Sequence, residues 1–393
     1  MKWISAISEE EVFDKAVMEV IESLRLGLQN ETPQLLISFV SPHHLKASRE
    51  VAKWIQHEFP LAHHLGCSAG GVIGHFQEIE RSPGFAMMAA ILPNVSLTPL
   101  RFQNEDFMYP LQDRKSWEKK IGVPFEKNPH FLLLADPMSF EIEKVLKGFD
   151  VAYPWSKKIG GMASGGSQNV PHLLYLDGEV YEDGMIGMAL SGNIRVESIV
   201  AQGCRPIGAS FAVTACDQNI IFELDGMSPM QVLQELYPRL EPREQELFKH
   251  SLFLGIEMGN DASGLSNEFL IRNILGVDAA SGGLVVSAAL HINQRVRFYV
   301  RDALSSAEDL EHQLQRFSEQ HSDFQPAGAL LFSCMGRGKY LYGQSHHDSK
   351  LFHQTYPGIA LGGFFCNGEI GPLHGKTFLH GYSSSFAIFS PRY

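Results

Sequence analysis

One pattern constrains this chain more than any other: a short apolar run, a helical pattern, a proline and a glycine-rich loop follow one another three times. The apolar runs lie at 35–40, 131–135 and 329–333, and the loops begin at Gly66, Gly160 and Gly362. About 30 residues separate each run from its loop, which is the size of a strand–helix–strand unit. Repetition at this scale predicts a duplicated building block.

The glycine-rich loops carry the residues on which chemistry could depend. The loop at 362–372 places a thiol, an amide and a carboxylate at Cys366, Asn367 and Glu369. The loop at 66–74 places Cys67 beside Ser68. Glycines let the backbone adopt positive φ and approach a neighbour closely, so both loops are candidates for holding a ligand.

Alternating apolar and polar residues predict pairs of strands at 84–102, 184–202 and 283–301, each pair joined by a short turn. Such hairpins are antiparallel, whereas strand–helix–strand units are parallel. We therefore predict an α/β (α+β) fold with duplicated mixed or antiparallel sheets flanked by helices, in two pseudo-related halves. The predicted domains are residues 1–210 and 211–393.

Composition narrows the classes of function. The net charge of −12 disfavours nucleic acid and anionic membranes as partners. The five cysteines include no CxxC pair, which argues against a disulfide framework or zinc site and for a reducing compartment. The N-terminal residues do not resemble a signal peptide, and no apolar run reaches the ~18 residues of a membrane helix. We expect a cytoplasmic protein.

Several of these segments together resemble the FIST family, a sensory module found in bacterial signalling proteins and in a eukaryotic F-box protein. The resemblance spans essentially the whole chain, with FIST N-terminal and FIST C-terminal regions in the family order. The residues that carry it are 65–74, 203–208, 269–278, Arg301–Asp302–Ala303, 363–372 and 379–382. One departure is Met335, where a polar residue, often asparagine, is expected before Gly336.

The resemblance implies a sensor that binds a small molecule rather than an enzyme. Amino acids have been proposed as ligands for the family, and some members are haem-containing nitric-oxide sensors. Relatives often carry an attached signalling or F-box domain. For this chain the expectation is a stand-alone sensor that acts through a non-covalent signalling partner, with no cofactor.

A zwitterionic ligand such as an amino acid needs a cation for its carboxylate and an acid for its amine. Glycine backbone and short polar side chains can complete such a pocket. The candidate ligand-binding residues are Arg301, Arg337, Arg272, Asp302, Glu369, Asp278, Asn367, Ser68, Cys67, Cys366 and Gly363. Of these, Arg301 and Asn367 are predicted to line one pocket, with Arg301 holding an anionic group. Each residue also has an ordinary structural interpretation, such as a strand-end ion pair, a turn residue or a buried thiol.

Other functions remain open at this stage. Residues 66–70 match G-x-S-x-G, so a hydrolase using Ser68 or Cys67 is an alternative, although no helix follows the motif as the nucleophile elbow requires. A ligand-free interaction scaffold is another. His63–His64 and His346–His347–Asp348 suggest metal binding, but adjacent histidines on a strand face opposite sides. A haem would need an axial ligand such as His380, His291 or Cys366, none of which stands out.

Overall fold

The computed structural model describes residues 1–108, 113–167, 169–258 and 269–393 and divides into two compact units. The three-sheet unit comprises Met1–Ala201 and Leu310–Tyr393, and the closed-sheet unit comprises Gln202–Asp309. Both mix strands with helices, which confirms the predicted fold class. The boundary predicted at 210 stays a prediction.

The three-sheet unit is built from a repeat in which a strand, a helix, a parallel strand pair with its crossover helix, a hairpin and a return strand follow in order. The first repeat consists of β1 (Lys2–Ser8), α1 (Phe13–Leu28), β2 (Leu35–Val40), α2 (Val51–Glu58), β3 (His63–Ser68), β4 (Gly71–Gly74), β5 (Gln77–Glu80) and β6 (Phe85–Ile91). The second consists of β7 (Val95–Phe102), α3 (Arg114–Ile121), β8 (His130–Ala135), α4 (Ile142–Ala152), β9 (Lys158–Met162), β10 (Leu174–Leu176), β11 (Glu179–Tyr181) and β12 (Met185–Gly192).

The third repeat is interrupted by the closed-sheet unit. It begins with β13 (Arg195–Ala201). The closed-sheet unit contributes β14 (Arg205–Asp217), β15 (Ile220–Leu224), α5 (Pro229–Leu236), α6 (Pro242–His250), β16 (Leu252–Glu257), β17 (Phe269–Val277), β18 (Leu284–Val286) and β19 (Arg295–Val300). The repeat resumes through α7 (Ala303–Gln320), β20 (Gly328–Cys334), α8 (Gly338–Tyr342), α9 (His347–Thr355), β21 (Ala360–Cys366), β22 (Glu369–Leu373), β23 (Lys376–His380) and β24 (Ser384–Ser390).

Each repeat forms the first four strands of a six-stranded sheet and takes the last two from a different repeat. The sheet orders are β1-β6-β2-β3-β10-β11, β7-β12-β8-β9-β22-β23 and β13-β24-β20-β21-β4-β5. The hairpin of the first repeat therefore completes the third sheet, that of the third completes the second, and that of the second completes the first. This cyclic exchange gives the unit a pseudo-threefold arrangement.

The structure confirms one part of the predicted connectivity and corrects another. The three predicted strand–helix–strand units are present, and β2–β3, β8–β9 and β20–β21 each pair in parallel. The strands predicted in pairs at 84–102, 184–202 and 283–301 exist, but the pairing within each is wrong. For example, β6 pairs with β1 and β2, whereas β7 pairs with β12 of the next sheet. The turn after β6 is the passage from one sheet to the next.

Apolar residues on both faces of each sheet explain why helices lie only on the outside. A central core draws side chains from all three sheets, including Phe39, Leu132 and Phe332. On the outer faces, α1 and α2 cover the first sheet, α3 and α4 the second, and α7 and α9 the third. Strands buried on both faces account for the uninterrupted apolar runs of the sequence.

The closed-sheet unit has its own core. Its six strands form a closed barrel in the order β14-β15-β18-β17-β16-β19. Apolar residues such as Val213, Leu254 and Phe298 fill the interior together with side chains of α5. The barrel is inserted between β13 and the rest of the third repeat.

Three equivalent glycines hold the parallel strand pairs together. Gly66, Gly160 and Gly363 lie opposite Ser38, Leu133 and Leu331 in the parallel registers. A Cβ atom on them would lie 2.4, 1.8 and 1.9 Å from the carbonyl oxygen of that partner. No real Cβ atom tolerates such a contact, so the strand spacing requires glycine at these positions.

We therefore expect Gly363→Ala to destabilise the fold well beyond the effect of backbone conformation alone. The matched control is Gly358→Ala, whose φ of +80° is also left-handed but whose Cβ would meet open space. The control should cost about 1–2 kcal/mol, and the backbone clash at Gly363 should add about 1–3 kcal/mol. Urea unfolding of both variants measures the difference, and equal losses would contradict the steric role.

Candidate functional site

The three glycine-rich loops meet in a ring of three equivalent hydrogen bonds. Gly70 N donates to Phe365 O over 3.2 Å, Ser164 N to Ser68 O over 3.2 Å, and Asn367 N to Met162 O over 3.1 Å. In every case a loop residue just after one parallel strand pair donates to the second strand of another repeat. The carboxyl ends of three parallel strand pairs therefore converge at one place, which is where α/β sheets bind ligands.

Polar groups surround this ring. The side chain of Ser164 is buried, accepts a hydrogen bond from Gly70 N at 2.7 Å and donates one to Phe365 O. Asn367 is exposed, and its Nδ2 lies 3.4 Å from Ala163 O. The side chain of Met335, 45% exposed, lies beside Gly70, where an added Cβ would come within 2.7 Å of its methyl group. Asn367 is thus a polar side chain available at the ring.

Directly beside the ring, at the ends of β20 and β21, the third repeat buries an ion pair. The guanidinium of Arg337 donates from Nε to Asp348 Oδ2 at 2.8 Å and from Nη2 to Asp348 Oδ1 at 3.2 Å. Arg337 is 0% and Asp348 2% exposed. Burial alone would raise the pKa of Asp348, but the charge of Arg337 and hydrogen bonds from its neighbours hold that pKa well below its usual range.

Further groups fix this ion pair in place. Ser384 Oγ donates to Asp348 Oδ2, and His347 Nδ1 lies 3.0 Å from Asp348 Oδ1. Arg337 Nη2 also donates to the hydroxyl of Tyr342, whose ring stacks on His347 with centroids 3.5 Å apart. The loop between β20 and α9 is held to the end of the sheet by this network.

A second buried carboxylate, Glu369, lies at the start of β22. Its Oε2 accepts hydrogen bonds from Ser383 N at 3.0 Å and Ser383 Oγ at 2.6 Å. Its Oε1 lies 3.4 Å from the sulfur of Cys366. Burial raises the pKa of Glu369 to about 7, although the hydrogen bonds from Ser383 oppose the shift. This carboxyl group can therefore exchange a proton near neutral pH.

A third buried carboxyl group, Glu78, comes from the exchanged hairpin β4–β5. Its Oε1 accepts a hydrogen bond from Ser349 N at 2.8 Å, and its Oε2 has no hydrogen-bond partner among the described residues. Burial and the negative charge of Asp348 raise the pKa of Glu78 to about 8. Glu78 is therefore mostly protonated at neutral pH, while Asp348 is ionised.

Four of the predicted site residues lie in the closed-sheet unit. Arg301 is buried at the end of β19. Asp302 accepts hydrogen bonds from Ser305 N at 2.7 Å and Ser305 Oγ at 2.8 Å, as the residue before a helix commonly does, and it pairs with Arg243 at 2.6 Å. The other two lie on β17 and after it: Arg272 Nη1 donates to Ile271 O, and the partly exposed Asp278 accepts hydrogen bonds from Ser281 in a turn.

The remaining predicted residues lie in the three-sheet unit, where Arg337, Cys366, Glu369 and Asn367 come together around the ends of β20 and β21. Gly363 lies within β21 and serves strand spacing. Arg301 and Asn367 belong to different compact units. That both residues line one pocket stays a prediction.

The first glycine loop holds its polar groups inside the protein. Ser68 is 0% exposed, and its Oγ accepts a hydrogen bond from Leu173 N at 3.1 Å. Cys67 lies in the central apolar core, and burial raises the pKa of its thiol well above the ordinary value. Both groups therefore have the surroundings of structural residues.

Sequence reasoning missed three members of the cluster: Asp348, Ser384 and Glu78. Asp348 was visible only as part of His346–His347–Asp348, a pattern that suggests metal ligation. In the structure His347 contacts Asp348, and Asp348 pairs with the Arg337 guanidinium, so the pattern marks an ion-pair network. Within the described residues, no group of three or more histidine, cysteine or acidic side chains is placed to hold a metal ion.

Of the three conceivable haem ligands, His380 and Cys366 are buried within the protein, whereas His291 is exposed. His380 is buried with Nε2 3.1 Å from Gly371 O, and the Cys366 thiol donates to Ser333 O. A further finding concerns membranes: the described part of the chain contains no helix of the length and apolarity needed to cross one.

Family models match nearly the whole chain. A FIST N domain matches residues 34–227, and a FIST C domain matches residues 229–372. The first match covers the first repeat from β2 onward, the second repeat, β13 and part of the barrel. The second match covers the remainder of the barrel and residues 337–369 of the cluster.

Similar proteins agree with these matches. An uncharacterized protein of Mycobacterium tuberculosis strain H37Rv is 32% identical over 378 residues, which is 95% of this chain and 96% of that protein. An uncharacterized protein of Mycobacterium bovis is 31% identical over 95% of both chains. The human F-box only protein 22 is 29% identical over 114 residues, 29% of this chain and 28% of that protein.

We predict that Arg337→Met costs about 3–5 kcal/mol of stability, because it leaves Asp348 as a buried charge without its cation. The double variant Arg337→Met/Asp348→Asn should cost less than Arg337→Met alone, since the buried charge is then gone. Urea unfolding at neutral pH compares the variants. A loss below about 1 kcal/mol in the single variant would contradict a dominant role for this ion pair.

The buried carboxyl of Glu78 predicts a pH dependence. Because folding raises its pKa from 4.5 to about 8, the folded state binds its proton more tightly. The stabilisation is complete below about pH 4.5 and is lost as the pH rises through about 8. Glu78→Gln mimics the protonated form, so its free energy of unfolding should match the wild type at pH 4 and exceed it at pH 8.5. The control is Glu246→Gln at an exposed position, and the same change of stability with pH in both variants would contradict the role assigned to Glu78.

Proposed function

This chain belongs to the FIST family, whose domains are sensory modules of signal transduction, and we propose that it senses a small polar metabolite at the ring of glycine-rich loops. The observation that carries the proposal is the convergence of three parallel strand pairs at the hydrogen-bonded ring. Loops at strand ends are the usual binding positions of α/β folds, because rigid strands position them.

The groups around the ring suit a ligand with hydrogen-bonding ends. The carboxamide of Asn367 offers both donors and an acceptor. The glycines at 70 and 165 let Met335 and the carbonyl of Ala69 approach the backbone closely, and the exposed side chain of Met335 supplies an apolar surface. An amino acid or a metabolite of similar size combines these features.

The buried cluster beside the ring supports this site without contacting the ligand. Arg337 is fully buried and bonded to Asp348 and Tyr342, so its role is to hold the loop that carries Met335. Binding sites perform better when such supporting contacts fix the residues that touch the ligand. Arg301 stays a separate prediction for an anionic ligand group.

The signal would pass to another protein by non-covalent contact, in a reducing compartment such as the cytoplasm. Thiols at all five cysteines are consistent with that location. A change of the ring on ligand binding would reach all three sheets, because each loop is bonded to a different repeat.

A hydrolase using Ser68 or Cys67 is the rival function. A nucleophile must reach solvent and be activated by a base. Ser68 is instead buried against Leu173 N, and Cys67 has a raised pKa in an apolar core. These observations favour binding over catalysis at the first loop.

We predict that Asn367→Ala weakens the ligand by about tenfold, the cost of roughly 1–1.5 kcal/mol for one lost hydrogen bond. A thermal-shift screen of amino acids and related metabolites would first find the ligand, and calorimetry would then compare variants. The matched control is Gln77→Ala, an exposed carboxamide on the hairpin that pairs with the opposite end of β21.

Unchanged affinity in Asn367→Ala, with the ligand still bound, would move the site away from the ring. The same measurement on Arg301→Ala tests the prediction for the closed-sheet unit separately. A screen without hits, together with a stable protein partner in pull-downs, would favour a ligand-free scaffold.

A further inference from the structure

Two cysteines lie side by side at the carboxyl ends of β20 and β21. Cys334 and Cys366 are direct partners in the parallel register of these strands, so their side chains project from the same face of the sheet. Neighbouring strands lie about 4.8 Å apart. That separation falls within the roughly 4.4–6.8 Å between Cα atoms that disulfides bridge.

The two thiols differ in access. Cys334 is partly exposed, whereas Cys366 is 0% exposed. Burial and the negative charge of Glu369 raise the pKa of the Cys366 thiol, so Cys366 is a poor nucleophile unless its proton is removed. An oxidant in solution therefore reaches Cys334 first.

A proton acceptor is already in contact with the buried thiol. The sulfur of Cys366 lies 3.4 Å from Glu369 Oε1. Ser383 fixes the other carboxylate oxygen with two hydrogen bonds, which points Oε1 at the sulfur. With its pKa near 7, Glu369 is partly ionised at neutral pH and can take the thiol proton. Arg337 is the nearby cation that favours this ionised form.

We propose that Cys334 and Cys366 are a redox-active pair, which a hydroperoxide converts into a reversible disulfide with Glu369 as the base. In the first step Cys334 sulfur attacks the peroxide, an S–O bond forms, the O–O bond breaks, and an alcohol or water leaves. Cys334 becomes a sulfenic acid, oxidised by two electrons.

In the second step Cys366 sulfur attacks the sulfenic sulfur while Glu369 takes the thiol proton. An S–S bond forms and the S–O bond breaks. The departing hydroxide receives the proton from Glu369 and leaves as water. No further oxidant is needed, and a dithiol restores the starting state.

The disulfide would join the two strand ends that carry the loops at 335–338 and 367–368. Cys334 N is bonded to Ser383 O and Met335 N to Cys366 O, so the cross-link would form inside an existing hydrogen-bonded layer. Transient, sensing disulfides are the kind found in reducing compartments. Cys67, the other buried cysteine, lies on β3 of another sheet.

The test is peptide mapping of the folded, full-length chain after treatment with hydrogen peroxide. Trypsin places Cys334 in peptide 317–337 and Cys366 in peptide 351–376, each with a single cysteine. We expect these two peptides to be joined, to separate on reduction, and to be joined equally in Cys67→Ser. Cys334→Ser should abolish the cross-link, and Cys366→Ser should leave Cys334 as a sulfenic acid that dimedone captures.

The role of Glu369 has its own readout. Glu369→Gln should slow disulfide formation at least tenfold, while dimedone labelling of Cys334 in a Cys366→Ser background keeps its rate. A purely structural role for Glu369 would change both rates. A cross-link from Cys366 to any other cysteine, a cross-link between two chains, or Cys334 oxidised beyond sulfenic acid while Cys366 stays a thiol would each overturn the proposal.

Discussion

The three-sheet unit depends on three hydrogen bonds between its glycine-rich loops. Each bond joins the loop after one parallel strand pair to the second strand of another repeat, as Gly70 N does with Phe365 O. The donors are the backbone N–H groups of Gly70, Ser164 and Asn367, and the acceptors are the carbonyl oxygens of Phe365, Ser68 and Met162. Close packing requires glycine at Gly165, where an added Cβ atom would lie 2.5 Å from the carbonyl oxygen of Ala69.

The exchanged hairpins make the repeats dependent on one another. The hairpin β4–β5 follows the first sheet in the chain but completes the third, where it brings Glu78 to α9. No sheet is complete within its own repeat, so the central core forms only when all three are assembled. Contacts distant in sequence thus dominate this unit. In the chain, the barrel lies between β13 and α7, which are consecutive elements of the third repeat.

Much of this architecture could be predicted from local patterns, and the rest could not, for a physical reason. Apolar runs bounded by turns identified the strands, and the spacing identified the parallel units. The strands on either side of Asn94 looked like a hairpin because alternation and a turn are all that a hairpin requires locally. Which sheet each strand joins is decided by burial in the central core, which no local window contains. Cys366 and Glu369 could be named as candidates because they lie in one glycine-rich loop of the sequence. Asp348 could not, because its contact with Arg337 depends on tertiary packing.

The three repeats carry different residues at equivalent positions near their strand ends. The equivalent residues Ser38, Leu133 and Leu331 lie opposite the three glycines of the parallel strand pairs. Two residues further along, the first and second repeats have Val40 and Ala135, both packed in apolar clusters under helices. The third has Ser333, which faces the Asp348 carboxylate. Likewise Ala69 and Ala163 correspond to Cys366 beside Glu369. Buried charges cost free energy that apolar residues avoid. The second repeat also buries a carboxylate at its strand end, Asp136, but pairs it with His172. The repeats therefore share the fold but differ in the polar groups at their strand ends, and local departures of this kind are expected at functional sites.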